Sequence, residues 1–225
     1  MKNSKKTKEE SKPAVQETAP MQTVQETQSK LNFKLWLEVL IKPVETIVQE
    51  KQNQNWRNAL LNYAISGLIA GLIIGIALLV IIFLYPSSLG TEAALLPSSQ
   101  LTIILSCVIL LPILWAAMLL ISSFINTIIF WVFSKIFNGK GSYLTQYYLT
   151  SIYSAPLNII VVFLMLIPIA ALSLILLLIL LLCSIFYLFI ALKTTHEYST
   201  QDAVLSIATP VIILLVIVFL ASNLP

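Results

Sequence analysis

The residues that most resemble a reactive site are Gly139, Lys140 and Gly141, in the stretch KIFNGKGSY. Glycines beside a lysine can cradle a phosphate group, but a P-loop also needs a glycine at position 134 and a serine or threonine at position 141. Ser134 and Gly141 occupy those two positions. The spacing therefore excludes a P-loop and favours a flexible turn.

A histidine can supply acid-base, nucleophilic or metal chemistry, and His196 is the only one in the chain. It lies in KTTHEYSTQD, beside Glu197 and near Asp202. Zinc usually takes three or four protein ligands, and the two cysteines, Cys107 and Cys183, stand in other parts of the sequence. The pattern predicts a solvated loop histidine, two cysteines that pack without forming a disulfide, and no metal or cofactor site.

Composition predicts the elements that must position these residues. Of the 225 residues, 58% are hydrophobic and 10% are charged, and the mean hydropathy is +0.92. A soluble domain cannot bury that much apolar surface. The predicted fold class is therefore all-α, a polytopic membrane helical bundle, because long apolar runs cross a bilayer as helices.

Four runs without charge are long enough to cross a hydrocarbon core, which takes roughly 20 helical residues, and the run from Gln146 to Leu192 is long enough to cross twice. They predict a membrane domain over residues 58–221, with spans at 62–85, 104–134, 150–167, 171–192 and 203–221. Pro112 predicts a break in the second span, and Pro168 predicts the fold-back between the third and fourth. Proline removes a backbone donor and disfavours helix at the residue before it.

The basic residues predict the orientation of the bundle. Ten of the thirteen precede the first span, and the others are Lys135, Lys140 and Lys193. All of them then fall on one side, which the positive-inside rule assigns to the cytoplasm, with Pro225 outside. The membrane would be the cell membrane of a prokaryote or an endomembrane of a eukaryote. Because the predicted spans hold no Asp, Glu, Lys, Arg or His, we expect neither an ion-coupled carrier nor an enzyme.

The N-terminal region predicts two segments. Residues 1–30 are rich in Lys, Glu, Gln, Ser and Thr and predict a disordered cytoplasmic tail. Residues 31–50 predict an amphipathic interfacial helix broken at Pro43, which either lies on lipid or packs on the inner ends of the spans. Trp36 is the predicted anchor for a cytosolic partner, and a lipid anchor is the alternative for it.

Small and amide residues predict how the spans pack. Gly67, Gly71 and Gly75 recur every four residues and form a glycine zipper, a shallow groove for another helix. Another span of the same chain is favoured over a homo-oligomer seam. Asn126 and Asn158 are the strongest polar groups in the spans, and we expect them to pair and join two helices. The alternative is a permease or channel component with a polar path near these two residues.

The order of these elements resembles the Ypt-interacting protein (Yip) family of Rab-associated membrane proteins, from Phe33 to Leu220. The residues that carry the resemblance are Pro43, Gly139, Gly141, Tyr153, Pro156, Tyr198, Ala203 and Pro210. The resemblance implies five spans and a role in membrane organisation or traffic through cytosolic partners, with a small GTPase as the candidate. The expected partners are the lipid bilayer, a cytosolic protein and, in a homo-oligomer, a second copy of the chain, but no nucleic acid.

Overall fold

The computed structural model describes residues 33–84 and 100–223, whose secondary structure is helical, without strand. The helices are α1 (Phe33–Ile41), α2 (Pro43–Glu50), α3 (Trp56–Leu84), α4 (Gln100–Leu105), α5 (Leu111–Ile136), α6 (Tyr143–Met165), α7 (Ala170–His196) and α8 (Thr200–Asn223). A 3₁₀ turn (Lys51–Asn53) follows α2, and a π-helical turn (Ser106–Leu110) joins α4 to α5. The predicted tail over residues 1–30 lies outside the described residues.

Five helical segments are long and apolar enough to cross a membrane. They are α3, the continuous run Thr102–Ile136, α6, α7 and α8. The shortest is α6, with 23 residues. At 1.5 Å per residue α6 is about 35 Å long, which exceeds a hydrocarbon core of about 30 Å. The predicted polytopic helical bundle with five spans is confirmed.

Two prolines interrupt the helical runs where the sequence predicts it. Pro112 is the second residue of α5, directly after the π-helical turn. Because proline has no backbone N–H, the regular hydrogen-bond ladder has to change in the turn before it. Pro168 lies in the connection between Met165, where α6 ends, and Ala170, where α7 begins. This connection turns the chain back, and α7 packs against α6.

The glycine face of α3 packs against the second span of the same chain. Gly67 faces Ala116, Gly71 faces Pro112, and Gly75 faces Cys107. A β-carbon on Gly75 would lie 2.0 Å from the carbonyl oxygen of Cys107, so no side chain fits there. Helices in lipid associate through close van der Waals contact, which the missing β-carbons allow. The first and second spans therefore approach each other backbone to backbone.

The central helix of the bundle is α6, which packs against α1, α3, α5 and α7, whereas α8 packs against α5 and α7. The buried core is rich in tyrosine and contains Tyr63, Tyr147, Tyr148, Tyr153 and Tyr187. These residues lie near the beginning of α3 and α6 and near the end of α7. Hydroxyl groups are therefore concentrated in the half of the bundle that lies closer to α1 and α2.

Candidate functional site

The N-terminal face is the end of the bundle formed by α1, α2 and the connections 137–142 and 197–199. Every Asp, Glu, Lys, Arg and His within residues 33–84 and 100–223 lies on this face or on the helix ends beside it. Over the described ranges, the other end of the bundle has no ionisable side chain of these types. Charged recognition by the described residues is therefore restricted to the N-terminal face.

Trp36 lies inside the protein, which corrects the prediction that it is an exposed anchor. Its side chain is 4% exposed, and its indole N–H donates to Oδ1 of Asn62 at 3.1 Å. Asn62 in turn donates to Oγ of Ser151 at 3.0 Å, so one amide joins α1, α3 and α6. The apolar surface of the indole is buried inside the bundle, and its one donor has a hydrogen-bond partner there.

The helices α1 and α2 have two apolar faces. The inner face packs against α6 and α7, with Val39 and Ile47 fully buried. The outer apolar stripe is exposed and consists of Phe33, Leu37, Ile41, Val44 and Val48. Two exposed ion pairs lie along the same helices. The segment therefore packs on the ends of the spans, which is one of the two predicted arrangements. Its outer surface is also amphipathic, which the other predicted arrangement, contact with lipid, requires.

His196 is buried at the end of α7, so the prediction of a solvated loop histidine is wrong. Its side chain is 0% exposed, and Nε2 donates to Oε1 of Gln146 on α6 at 2.9 Å. The imidazole stacks on Tyr198, with ring centroids 5.4 Å apart. The Tyr198 hydroxyl lies 3.1 Å from Oγ of Ser134 on α5. Among the described residues, no group of three or more His, Cys, Asp and Glu could hold a metal ion.

Two glycines allow the connection between α5 and α6 to lie directly on the end of α7. A β-carbon on Gly139 would be 2.5 Å from Nδ1 of His196, and one on Gly141 would be 2.3 Å from the carbonyl oxygen of Thr195. The backbone N–H of Lys140 donates to the carbonyl oxygen of His196 at 3.2 Å, while the Lys140 side chain is exposed. The Gly-Lys-Gly stretch is therefore a closely packed turn between spans.

Side chains from separate connections meet at the N-terminal face. Lys51, which follows α2, forms an ion pair with Glu197 in the connection between α7 and α8. Lys51 also lowers the pKa of the Glu197 carboxyl below its ordinary value, because it donates a hydrogen bond to the carboxylate and attracts its charge. Two further bonds tie the same region to α6, from Tyr148 to Glu50 and from Thr145 to Gln54.

A cavity of about 300 Å³ lies deeper in the bundle, between α5, α6 and α7. We call it the hydroxyl-lined cavity; its polar lining includes Ser122, Ser123, Asn126, Thr150, Ser154 and Ser184. Ser122 and Asn126 are exposed, so the cavity opens at the surface of α5. The hydroxyls of Tyr63 and Thr150, which also line it, are buried. Neither makes a hydrogen bond of normal geometry within the described chain, although Ser154 lies near Tyr63 and the hydroxyl of Tyr153 lies near Thr150.

The two asparagines predicted to pair are not bonded to each other, so that prediction is wrong. Asn158 donates to Oγ of Ser66 at 3.1 Å, and Ser66 donates to the carbonyl oxygen of Ala155 at 2.7 Å. This amide therefore joins α6 to α3. Asn126 is exposed on α5 and lines the hydroxyl-lined cavity. The two side chains leave their helices toward different neighbours.

The remaining residues of the family resemblance lie at turns and helix contacts. Pro43 is the first residue of α2, and Pro156 and Pro210 lie inside α6 and α8. Tyr153 stacks on a tyrosine of α7, with ring centroids 5.6 Å apart. Ala203 is fully buried near the start of α8. These residues shape the bundle and its connections.

Sequence reasoning missed two residues of α3 that form buried hydrogen bonds. Asn62 and Ser66 join α3 to α6, and Asn62 also holds α1. A usable signal was present, since Asn62, Ser66 and Ala70 recur every four residues and share one side of the helix. Polar and small residues on a shared helix face are typical of packing contacts in membranes.

A comparison with known protein families gives one result. The family model of the Yip1 domain matches residues 37–221. The match covers the first four membrane-spanning segments, the fifth up to residue 221, and α1 from residue 37 onward. No curated protein and no solved structure matches the chain.

Proposed function

The chain belongs to the Yip1 domain family, and from that premise we propose that it is a non-enzymatic membrane adaptor. Its five spans anchor it in the bilayer, and its N-terminal face binds a cytosolic protein. The positive-inside rule supports a cytoplasmic N-terminal face. The resulting role is in membrane organisation or traffic.

The observation that carries this proposal is the set of polar contacts between distant segments at the N-terminal face. Lys51 pairs with Glu197, Gln146 holds His196, and Glu50 accepts a hydrogen bond from α6. These contacts hold the surface in one shape before a partner arrives. A preorganised surface loses less conformational freedom on binding, so more of the contact energy is available for affinity.

The exposed charges support recognition of a polar protein surface. Lys42 and Glu45 have side chains that are 66% and 69% exposed, and Lys140 is also exposed. Mixed charges at the rim of an interface direct the encounter and select the partner more than they add affinity. The exposed apolar stripe lies on α1 and α2, while Lys42 joins these two helices and Glu45 lies in α2.

Chemical catalysis has less support at this site. Nε2 of His196 is hydrogen-bonded to Gln146 and not to a serine, so a serine–histidine pair is absent from the described residues. A nucleophile would also need to lie within hydrogen-bond reach of its base. Recognition without chemistry therefore accounts better for the arrangement.

Site-specific cross-linking tests the adaptor function. A photo-reactive residue replaces Lys140 on the N-terminal face, and a second variant carries it at Ile212, which is 58% exposed on α8 within a predicted membrane span. In intact cells we expect the Lys140 variant to cross-link a cytosolic protein and the Ile212 variant to cross-link lipid. Cross-links at position 140 to lipid alone, or to extracellular proteins, would refute the proposal.

The class of partner requires a second measurement. Purified small GTPases loaded with GDP, or with a GTP analogue that is not hydrolysed, are added to proteoliposomes that display the N-terminal face. Binding that is lost in Lys140→Glu but kept in Ile212→Val supports a GTPase partner. If a different cytosolic protein shows that pattern and no GTPase binds, the adaptor function remains and the GTPase is excluded.

A permease is the second candidate, because the hydroxyl-lined cavity contains Asn126. Asn158 does not line this cavity, because it lies in the mostly apolar groove beside it and its amide is bonded to Ser66. Solute uptake by proteoliposomes that is abolished in Asn126→Leu and kept in Lys140→Glu would replace the adaptor with a permease.

A further inference from the structure

We propose that the hydroxyl-lined cavity binds an uncharged lipid whose headgroup bears free hydroxyls, of the diacylglycerol class. The headgroup would occupy the cavity, and the two acyl chains would lie in the apolar grooves beside it. This inference goes beyond the adaptor function and does not depend on it.

Buried hydroxyls without good internal partners point to a polar ligand. Tyr63 is 1% exposed, and its hydroxyl and that of Thr150 face the cavity without a hydrogen bond of normal geometry in the described chain. A buried polar group without a hydrogen bond destabilises the folded protein, because it has lost its bonds to water without replacing them. A ligand that donates to or accepts from these hydroxyls removes that cost.

The lining of the cavity excludes a charged headgroup. Its polar groups are hydroxyls and the amides of Asn126 and Gln146, with no Asp, Glu, Lys, Arg or His. A phosphate at this depth would have no cationic partner, and burying an unpaired charge is far more costly than burying a neutral hydroxyl. The ligand that fits is therefore neutral and forms hydrogen bonds.

Two apolar grooves meet the cavity. The first lies between α6 and α7, contains Leu157, Val161, Leu177 and Leu181, and shares Ser154 and Ser184 with the cavity. The second lies between α5 and α8, contains Ile129, Phe133, Pro210 and Leu214, and shares Asn126 and Phe130 with it. A polar chamber with two apolar extensions matches a lipid with one small headgroup and two chains.

Depth and access also favour a lipid. Asn126 is ten residues from the end of α5, and Ser184 is twelve residues from the end of α7. At 1.5 Å per residue these positions lie about 15–18 Å from the ends of their helices, well inside a hydrocarbon core of about 30 Å. Because the opening at Ser122 and Asn126 is on the side of α5, a molecule already dissolved in the bilayer can enter laterally.

The test uses full-length, delipidated protein in detergent and measures binding by native mass spectrometry. The probes are diacylglycerol, phosphatidylcholine and phosphatidylglycerol with identical acyl chains, and free glycerol. We expect diacylglycerol to bind at least about tenfold more tightly than either phospholipid, and glycerol not to bind detectably. Equal binding of a phospholipid, or binding of glycerol as tight as that of diacylglycerol, would overturn the proposal.

Variants separate the site from the fold. Tyr63→Phe and Thr150→Val each remove one hydroxyl, and because neither hydroxyl has a good internal partner, the melting temperature of the ligand-free protein should stay the same or rise. Each should weaken diacylglycerol binding about tenfold. Ser206→Ala is the matched control, because its buried hydroxyl also lacks a partner but lies outside the cavity lining. Unchanged binding in both cavity variants, or an equal loss in the control, contradicts the assignment.

Discussion

The docking of α1 on the spans should depend on the hydrogen bond between Trp36 and Asn62. Trp36→Phe keeps an aromatic ring but removes the indole donor that Oδ1 of Asn62 accepts at 3.1 Å. Asn62 is 6% exposed, so water does not readily replace the donor. Leaving a buried acceptor unsatisfied costs about 1–3 kcal/mol, which corresponds to a change of about 5-fold to 150-fold in the equilibrium between docked and undocked α1.

Hydrogen exchange measures this equilibrium, because amides in a locally opened segment exchange in proportion to the open population. Exchange in α1 should accelerate by about 5-fold to 150-fold in Trp36→Phe, while the amides of α7 should change little. The smaller ring also leaves a cavity, which adds a cost of its own. A double-mutant cycle with Asn62→Leu separates the two effects, because Trp36→Phe costs only the cavity contribution when the acceptor is absent. Purely additive effects on exchange would show that the hydrogen bond does not hold α1.

Three further predictions follow from the bundle and its charges. The first concerns orientation and uses single-cysteine variants of a chain without its native cysteines. A cysteine that replaces Thr91 should react with an impermeant thiol reagent on intact cells, whereas one that replaces Lys140 should react only after permeabilisation. The reverse pattern would show that the predicted orientation is inverted. Gly75→Ala should destabilise the bundle in thermal unfolding by about 1–3 kcal/mol, because the methyl group meets backbone of the second span. Ala117→Val is the control, because Ala117 is exposed on α5 and the added methyl groups should change the stability very little. Equal destabilisation by Gly75→Ala and Ala117→Val would contradict the close helix contact. The lowered pKa of Glu197 means that its ion pair stabilises the N-terminal face above the ordinary carboxyl pKa of 4.5 and is lost as pH falls through the lower folded-state value. Protection of the amides in the α7–α8 connection, taken relative to the intrinsic exchange rate at each pH, should therefore fall in acid. Persistence of that fall in Glu197→Gln would exclude the ion pair as its cause.

Features that depend on one segment at a time were predictable from the sequence. The number of spans follows from the length of each apolar run, because the thickness of the hydrocarbon acts on every segment separately. The turn at Pro168 and the altered helix before Pro112 follow from the missing backbone donor, which is a local property. The glycines of α3 predicted a close helix contact for the same reason, since the absence of a side chain is visible in the sequence itself.

Features that depend on how helices are rotated against each other were decided by the tertiary structure. Successive residues point about 100° apart around a helix, so a small rotation changes which neighbour a side chain meets. Spans that are apolar on all sides give no periodic signal of that rotation. For this reason the sequence did not show that Asn158 is bonded to Ser66 and not to Asn126. Nor did it show that Trp36 is bonded to Asn62 inside the bundle, or that His196 is buried beside Gln146. Which segments enter the membrane and where they turn could be read from the amino-acid sequence, because those properties depend on local chemistry and length. Which polar groups are bonded to each other depends on the packing of the whole bundle, because a polar group in the membrane can bond only to the neighbours that packing places beside it.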